Sequence, residues 1–419
     1  MKKIIVPIVL TAVLLFTGCA HPTYGEELKS DKPRLTPNVP AADLDALVSG
    51  NTEFAMALYQ LLKNEDGNIF YSPHSISEAL AMTWGGARNE TEKQMAEALS
   101  FNLTQAKLHP AFNSLDTALA SRGQGAKGKD DEPFVLKTVN AIWGQKDFSF
   151  ETAYLDLLAE NYGAGLRILD FIKSPEDSRT TINDWVAKET EQRIKDLLPE
   201  GSINDLTRLV LTNAVYFNGG WLNPFAQEAT RDGSFKLLNG QKVTVPMMFQ
   251  SSSMGHAAGN GWQAAELKYN GGELSMVVIL PDDFKAFENS LDGAKLESIV
   301  AGLKNNTVNL TMPKFEFDSS FGLKETLAAM GMPIAFTDAA DFSCMDGKRD
   351  LVIQDVVHKA FVAMDEFGTE AAAATGVIVG ITSAPLDPAT ITLDRPFIFL
   401  IRDIATGAVI FTGRVMDPS

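Results

Sequence analysis

The side chains best suited to chemistry are few and far apart. Five histidines (His21, His74, His109, His256, His358) and two cysteines (Cys19, Cys344) are scattered over 419 residues. None falls into CxxC or HExxH spacing, so neither a structural zinc site nor a zinc protease is expected, and no metal or cofactor is implied. No GxSxG, SxxK or GxxxxGK[ST] run is present, and the acidic residues form no persuasive pair, so the chain does not read as an enzyme. Cys344 reads as a small buried hydrophobe. One run matters in another way. Residues 366–384 read Glu-Phe-Gly-Thr-Glu-Ala-Ala-Ala-Ala-Thr-Gly-Val-Ile-Val-Gly-Ile-Thr-Ser-Ala. After Glu370 the run has no charge, and no proline comes before Pro385. Residues 371–374 are tiny, and Thr375, Val377, Ile378, Val379, Ile381 and Thr382 suit a strand. Such a run can lie as an exposed loop or enter the middle of a sheet without a clash or a missing donor. A chain that keeps both options open can store free energy and release it once.

The elements around this run belong to an ordinary globular protein. Apolar residues make up 45% and charged residues 21%, the usual proportions. Roughly 370 residues look globular, enough for one large core or two modest ones. The net charge is −17 and no dense basic tract occurs, so nucleic acid is not an expected partner. At the start, Lys2 and Lys3 precede an apolar stretch from Ile4 to Phe16. It is too short to span a bilayer and reads as a signal peptide. Phe16-Thr17-Gly18-Cys19 resembles the lipobox of bacterial lipoproteins. That likeness implies an acylated Cys19 as mature amino terminus and an exported protein held on a lipid membrane at the cell envelope or surface. Three regions are therefore expected: a signal peptide (1–18), a lipidated, proline-dotted flexible tether (19–48, with Pro22, Pro33, Pro37 and Pro40), and one folded domain (49–419).

Within the domain, helical periodicity covers 51–63, 75–84, 91–99 and 180–198. Strand patterns cover 208–217, 242–248, 274–280, 307–317 and 397–401. Helices concentrate early and strands late, so the class is α+β.

The order of segments resembles the serpin family from about residue 49 to Ser419. The matching blocks are NIFYSPHSISEALAM (68–82), TINDWVAKETEQRIKDLL (181–198), LVLTNAVYFNGGWLNPF (209–225), VPMM (245–248), MPKFEF (312–317), AFTDAADFS (335–343), VVHKAFVAMDEFGTEAAAA (356–374) and DRPFIFLIRD (394–403). The resemblance implies three β-sheets, eight or nine helices and an exposed reactive loop at about 366–390. It also implies suicide inhibition of a serine protease through a covalent acyl-enzyme complex, by a monomer. A protease cuts the loop as bait, and the freed half of the loop becomes a new central strand; such insertion is a standing example of strand addition and switching.

By the family's register, the hinge is Glu366, Gly368, Thr369, Glu370, Ala371, Ala372, Ala373 and Ala374. Gly368 would supply backbone freedom, and Thr369 would be the first side chain to enter. With alternate residues facing the core, Thr369, Ala371, Ala373, Thr375, Val377 and Val379 should point inward. Ser72, Ser75, Asn213 and His358 match the family's shutter positions, and Trp221 matches the tryptophan beneath the point where the loop enters. Counting forward from the hinge puts the scissile bond at Thr382-Ser383, with Ile381-Thr382 second; counting back from Arg395-Pro396 lands nearer Pro385. The small and aliphatic residues there suit elastase-like and subtilisin-like proteases. Two alternatives stand beside this reading: a non-inhibitory serpin acting as a binding or chaperone module, and an inhibitor of papain-like cysteine proteases.

Overall fold

Runs of β-branched and aromatic residues dominate the second half of the chain and build two sheets. The structure is a computed structural model and describes residues 24–128, 133–369 and 388–419. Its strands are β1 (Glu26–Leu28), β2 (Ile69–Tyr71), β3 (Val135–Gln145), β4 (Leu166–Leu169), β5 (Leu209–Gly220), β6 (Arg231–Lys236), β7 (Lys242–Gly259), β8 (Trp262–Lys268), β9 (Leu274–Pro281), β10 (Lys304–Pro313), β11 (Phe315–Gly322), β12 (Asp355–Met364), β13 (Gly368–Thr369), β14 (Ala389–Thr392), β15 (Phe397–Asp403) and β16 (Val409–Val415). Its α-helices are α1 (Ala41–Leu62), α2 (Pro73–Trp84), α3 (Asn89–Ala98), α4 (Gln105–Ala120), α5 (Thr152–Tyr162), α6 (Pro175–Glu189), α7 (Phe284–Asn289), α8 (Gly293–Ala301), α9 (Lys324–Ala329) and α10 (Ser343–Asp346). The excess over eight or nine helices lies in short turns such as the four-residue α10.

Seven strands form one sheet in the order β1-β4-β3-β5-β13-β12-β11. The other nine run β14-β10-β7-β8-β9-β15-β16-β2, with β6 against β7. Three sheets were expected. The 18-residue β7 passes unbroken from its pairing with β6 and β10 to its pairing with β8, which joins two of them into one hydrogen-bonded network.

The main core lies between the sheets and takes Leu58 from α1, Ile76 and Leu80 from α2, Leu211, Val215 and Phe217 from β5 and Phe399 from β15. A smaller core sits on the other face of the seven-stranded sheet. There Ile182, Trp185 and Val186 of α6 cover Trp143, Val210, Ala214 and Val357. Because side chains alternate across β5, odd-numbered residues face the main core and even-numbered ones face α6.

Several boundaries move. The run 307–317 is two strands parted at Lys314, and α1 begins ten residues before the expected helix start at Asn51. α6 stops at Glu189 because Glu191 and Gln192 take left-handed φ of +51° and +66°, and Asn183 Oδ1 then accepts the Leu198 N–H at 2.8 Å. The flexible tether needs the largest correction. From Tyr24 onward it is docked on the body, with β1 paired antiparallel to the edge strand β4.

Candidate functional site

β12 ends at Met364 and the chain turns back at once. The Asp365 N–H donates to Gly368 O at 3.0 Å, and the Phe367 N–H to Asp365 Oδ1 at 2.9 Å. This turn carries Gly368 and Thr369 in between β5 and β12. Gly368 lies opposite Gly220 and Thr369 opposite Gly219, while Met364 faces Thr369 from the other side. The sequence placed Thr369 as a side chain that enters after the cut; it is already inside the sheet of the uncut chain. It is 2% exposed, and its hydroxyl lies 2.8 Å from the Tyr269 hydroxyl.

Trp221 sits directly under this turn. Its backbone N–H donates to Phe367 O at 2.7 Å, and its indole Nε1–H to Asp365 O at 3.0 Å. Its ring stacks on Tyr269 with centroids 4.7 Å apart. Gly368 is needed on two counts: its φ is +156°, which other residues rarely adopt, and a Cβ there would lie 2.1 Å from Gly219 O. Glu366 is buried, with Oε2 2.8 Å from Lys314 Nζ and Oε1 accepting the Thr230 hydroxyl at 2.7 Å. Burial pushes its pKa up, but the bonds from Lys314 and Thr230 outweigh that and hold the carboxyl below its ordinary range.

Below the hinge, β5 and β12 pair directly and in parallel, from Val210 and Asp355 to Val215 and Ala360. A connected polar cluster crosses this seam. His358 Nε2 accepts the Ser72 N–H at 3.1 Å, so the other ring nitrogen, Nδ1, carries the proton and donates to Asn213 Oδ1. The Asn213 amide donates to Ser75 Oγ and to Asn140 Oδ1. Asn140 in turn donates to Glu78 Oε2 at 2.9 Å and to Ser75 O at 3.2 Å. Ser72 caps α2 by accepting the Ser75 N–H at 3.2 Å, and its own hydroxyl donates to Ile410 O at 2.7 Å. Burial depresses the His358 pKa to about 3 and raises that of Glu78 well above the usual carboxylate range, with Asp116 adding to the rise.

This arrangement is not catalytic. Both His358 nitrogens are engaged, neither serine hydroxyl donates to a base, and no group of acidic, cysteine or histidine side chains among the described residues could hold a metal. Gly123, Gly125 and Gly128 do have G-x-G-x-x-G spacing. They follow helix α4 and precede strand β3, the reverse of the order a dinucleotide site requires. Cys344 is half-buried rather than buried. The cluster instead stitches β3, β5, β12 and the start of α2 together where a strand would have to enter.

The chain and the fold that hold this seam have counterparts among known proteins. The model of the family described as "Serpin (serine protease inhibitor)" matches residues 49–418. The chain belongs to the serpin family. The leukocyte elastase inhibitor of Homo sapiens is 38% identical to this serpin over 390 residues, covering 90% of this chain and all of that one. Antithrombin-III of Mus musculus is 39% identical over 388 residues, covering 89% and 82%. Among solved structures, Serpin48 of the insect Tenebrio molitor superposes with a TM-score of 0.78 at 29% identity, over 89% of this chain and 98% of that one. Membership places the chain among protease inhibitors rather than enzymes.

Reading the sequence missed five residues of this serpin's site: Tyr269, Thr230 and Lys314 around the hinge, and Asn140 and Glu78 in the seam cluster. An asparagine inside a strand of β-branched neighbours was the one signal available, and it pointed to Asn140. Glu370, Ala371, Ala372, Ala373, Ala374, the bonds Thr382-Ser383 and Ile381-Thr382, and Cys19 all lie outside the described residues.

Proposed function

We propose that this serpin traps serine endopeptidases of elastase-like or subtilisin-like specificity, as a covalent acyl-enzyme, by inserting its cut loop as a central strand. The observation that carries the reading is Thr369 seated between β5 and β12 above a seam held by six parallel residue pairs. Continuing that register down the seam sets each later residue between a known pair. Ala373 would fall between Val215 and Ala360, and Thr375 between Asn213 and His358. Both positions are on the odd, core-facing side, and both residues are small enough to fit there. The protease supplies the nucleophile; the inhibitor supplies a strand of roughly 45 Å from Thr369 to Thr382, at about 3.3 Å per residue. Ladder bonds at about 0.5–1.5 kcal/mol each, together with apolar burial, make the inserted form the more stable one. The bait is Thr382-Ser383, with Ile381-Thr382 second. The absence of Lys or Arg between Lys359 and Arg395 disfavours trypsin-like targets, and the similarity to proteins named leukocyte elastase inhibitor supports the same class. The protein acts as a monomer, exported and anchored by acyl chains on Cys19.

The test is incubation with pancreatic elastase and with subtilisin, followed by denaturing gels and mass spectrometry of the released peptide. A covalent complex with cleavage after Thr382 is expected. Clean cleavage without complex across a broad protease panel would sink the trapping reading and favour a binding or chaperone module. Complexes with papain-like enzymes alone would shift the target class.

A further inference from the structure

The segment expected to hang free is built into the fold, at a place where it can restrain the sheet. Residues 24–35 run over four elements in turn. Tyr24 packs beside the small core under α6, with Lys188 Nζ 5.0 Å from its ring. β1 then adds an edge strand to β4. Two glycines make room for it: a Cβ on Gly165 would lie 2.6 Å from Leu28 O, and one on Gly25 would lie 2.9 Å from Ile168 O. Next come contacts with α5 and the residue after it. Lys29 Nζ donates to Gly163 O at 2.5 Å, the Ser30 hydroxyl to Asp156 at 2.5 Å, and Lys32 pairs with Asp156 and Glu160 at 3.0 Å each. Finally Arg34 reaches α4, donating to Asn113 Oδ1 at 2.8 Å and to Asp116 at 2.5 Å, while Asn113 Nδ2 donates to Leu35 O at 2.9 Å.

These elements divide between two bodies. Strand insertion must part β5 from β12. β3 and β4 pair in series beyond β5, and α6 rests mainly on β3 and β5, reaching β12 only at Val357, so these elements shift with β5. α4 is seated mainly on α1, which packs on β16, and touches β3 less, while α5 packs on α4 and on α10, which leads toward β12. The segment therefore fastens the half that moves, at β4 and α6, to the half that stays, at α4 and α5. Exposed pairs such as those of Lys32 contribute little singly. Asn113 is different: it is fully buried under the docked segment, so Arg34→Ala, which keeps that cover, leaves its Oδ1 with only the 3.4 Å bond from Thr117.

We propose that residues 24–35 are a strap that sets the lifetime of the uninserted state by resisting spontaneous parting of β5 from β12. This rests on the loop-insertion reading above. The experiment compares the full chain with a variant lacking residues 24–35, and with Lys32→Ala/Arg34→Ala, which keeps the segment. Each is held at one temperature below its melting point. The uncleaved, heat-resistant form is followed over time, a readout that needs no protease. Both variants should convert at least about tenfold faster than the full chain, and a synthetic peptide of residues 24–38 added to the truncated chain should slow it again. Equal conversion rates for full chain and double variant overturn the strap and leave the inhibitor reading intact. If no chain ever yields the heat-resistant form, there is no spontaneous transition for the strap to slow and the strap is overturned, while insertion after cleavage is judged separately by the covalent complex.

Discussion

Thr369→Arg tests the hinge most directly. Thr369 is enclosed by Tyr269, Met364 and the backbone of Gly219, and its hydroxyl is the hydrogen-bond partner of Tyr269. Arginine removes that bond and leaves a buried hydroxyl unsatisfied, at about 1–3 kcal/mol. A guanidinium held there without a carboxylate costs several kcal/mol more. Glu366 offers no rescue, being already held by Lys314 and Thr230. The side chain would be expelled from the uncut sheet, and after cleavage it would meet the same barrier first. If only about 3 kcal/mol of the cost is felt at the rate-limiting step, insertion slows by roughly 150-fold. The acyl-enzyme then has time to hydrolyse, and the inhibitor becomes a substrate. Denaturing gels with elastase give the ratio of covalent complex to cleaved protein, and Thr369→Ser, which keeps the hydroxyl, serves as control. The wild type and Thr369→Ser should give mainly complex, and Thr369→Arg mainly cleaved protein. Undiminished complex from Thr369→Arg would refute the register and the role of the hinge together.

Limited cleavage of the loop should raise the melting temperature well above that of the intact chain, and Thr375→Lys should abolish much of that rise by placing a charge between Asn213 and His358; calorimetry of intact and cut forms decides both. His358 and His109 are each depressed to about 3 by burial, with Arg88 adding to the effect on His109. Both lie below their unfolded value of about 6.5, so the unfolded chain binds more protons between those limits, and stability should be lost as pH falls from about 6.5 toward 3. His358→Gln should flatten part of that acid-side decline in urea titrations, and an unchanged slope would contradict a neutral His358. Cys19→Ala should move the protein from the membrane to the soluble fraction, and a persistent membrane fraction would refute acylation.

At Gly368 and Thr369, the part of the hinge strand among the described residues, the sequence was legible because the demands fall on residue size and backbone. Only a glycine fits beside Gly219 O, and only a short side chain fits opposite Tyr269. The polar seam was half legible. Ser72 announced itself as a cap before Pro73, and His358 as an odd residue in an apolar strand. Asn140 and Glu78 join the cluster only when β3 and α2 meet it in space, which no local spacing encodes. Lys314 was misread as strand interior because Met312, Pro313, Phe315 and Phe317 around it continue an apolar pattern; its partner Glu366 is remote in sequence. The docked segment 24–35 was hidden for a different reason. Its prolines and charges match those of a solvated linker, and its fit depends on a glycine at position 165, far along the chain.

That docking changes how an acylated form would sit. Tyr24 is fixed to the body, so a lipid on Cys19 is five peptide steps from a fixed point, at most about 18 Å when fully extended. The molecule would rest nearly flush with the headgroups, its β1 rim turned toward them, with no long leash on which to tumble. Proteases working along that surface, more than those diffusing freely, are the ones such a posture would intercept.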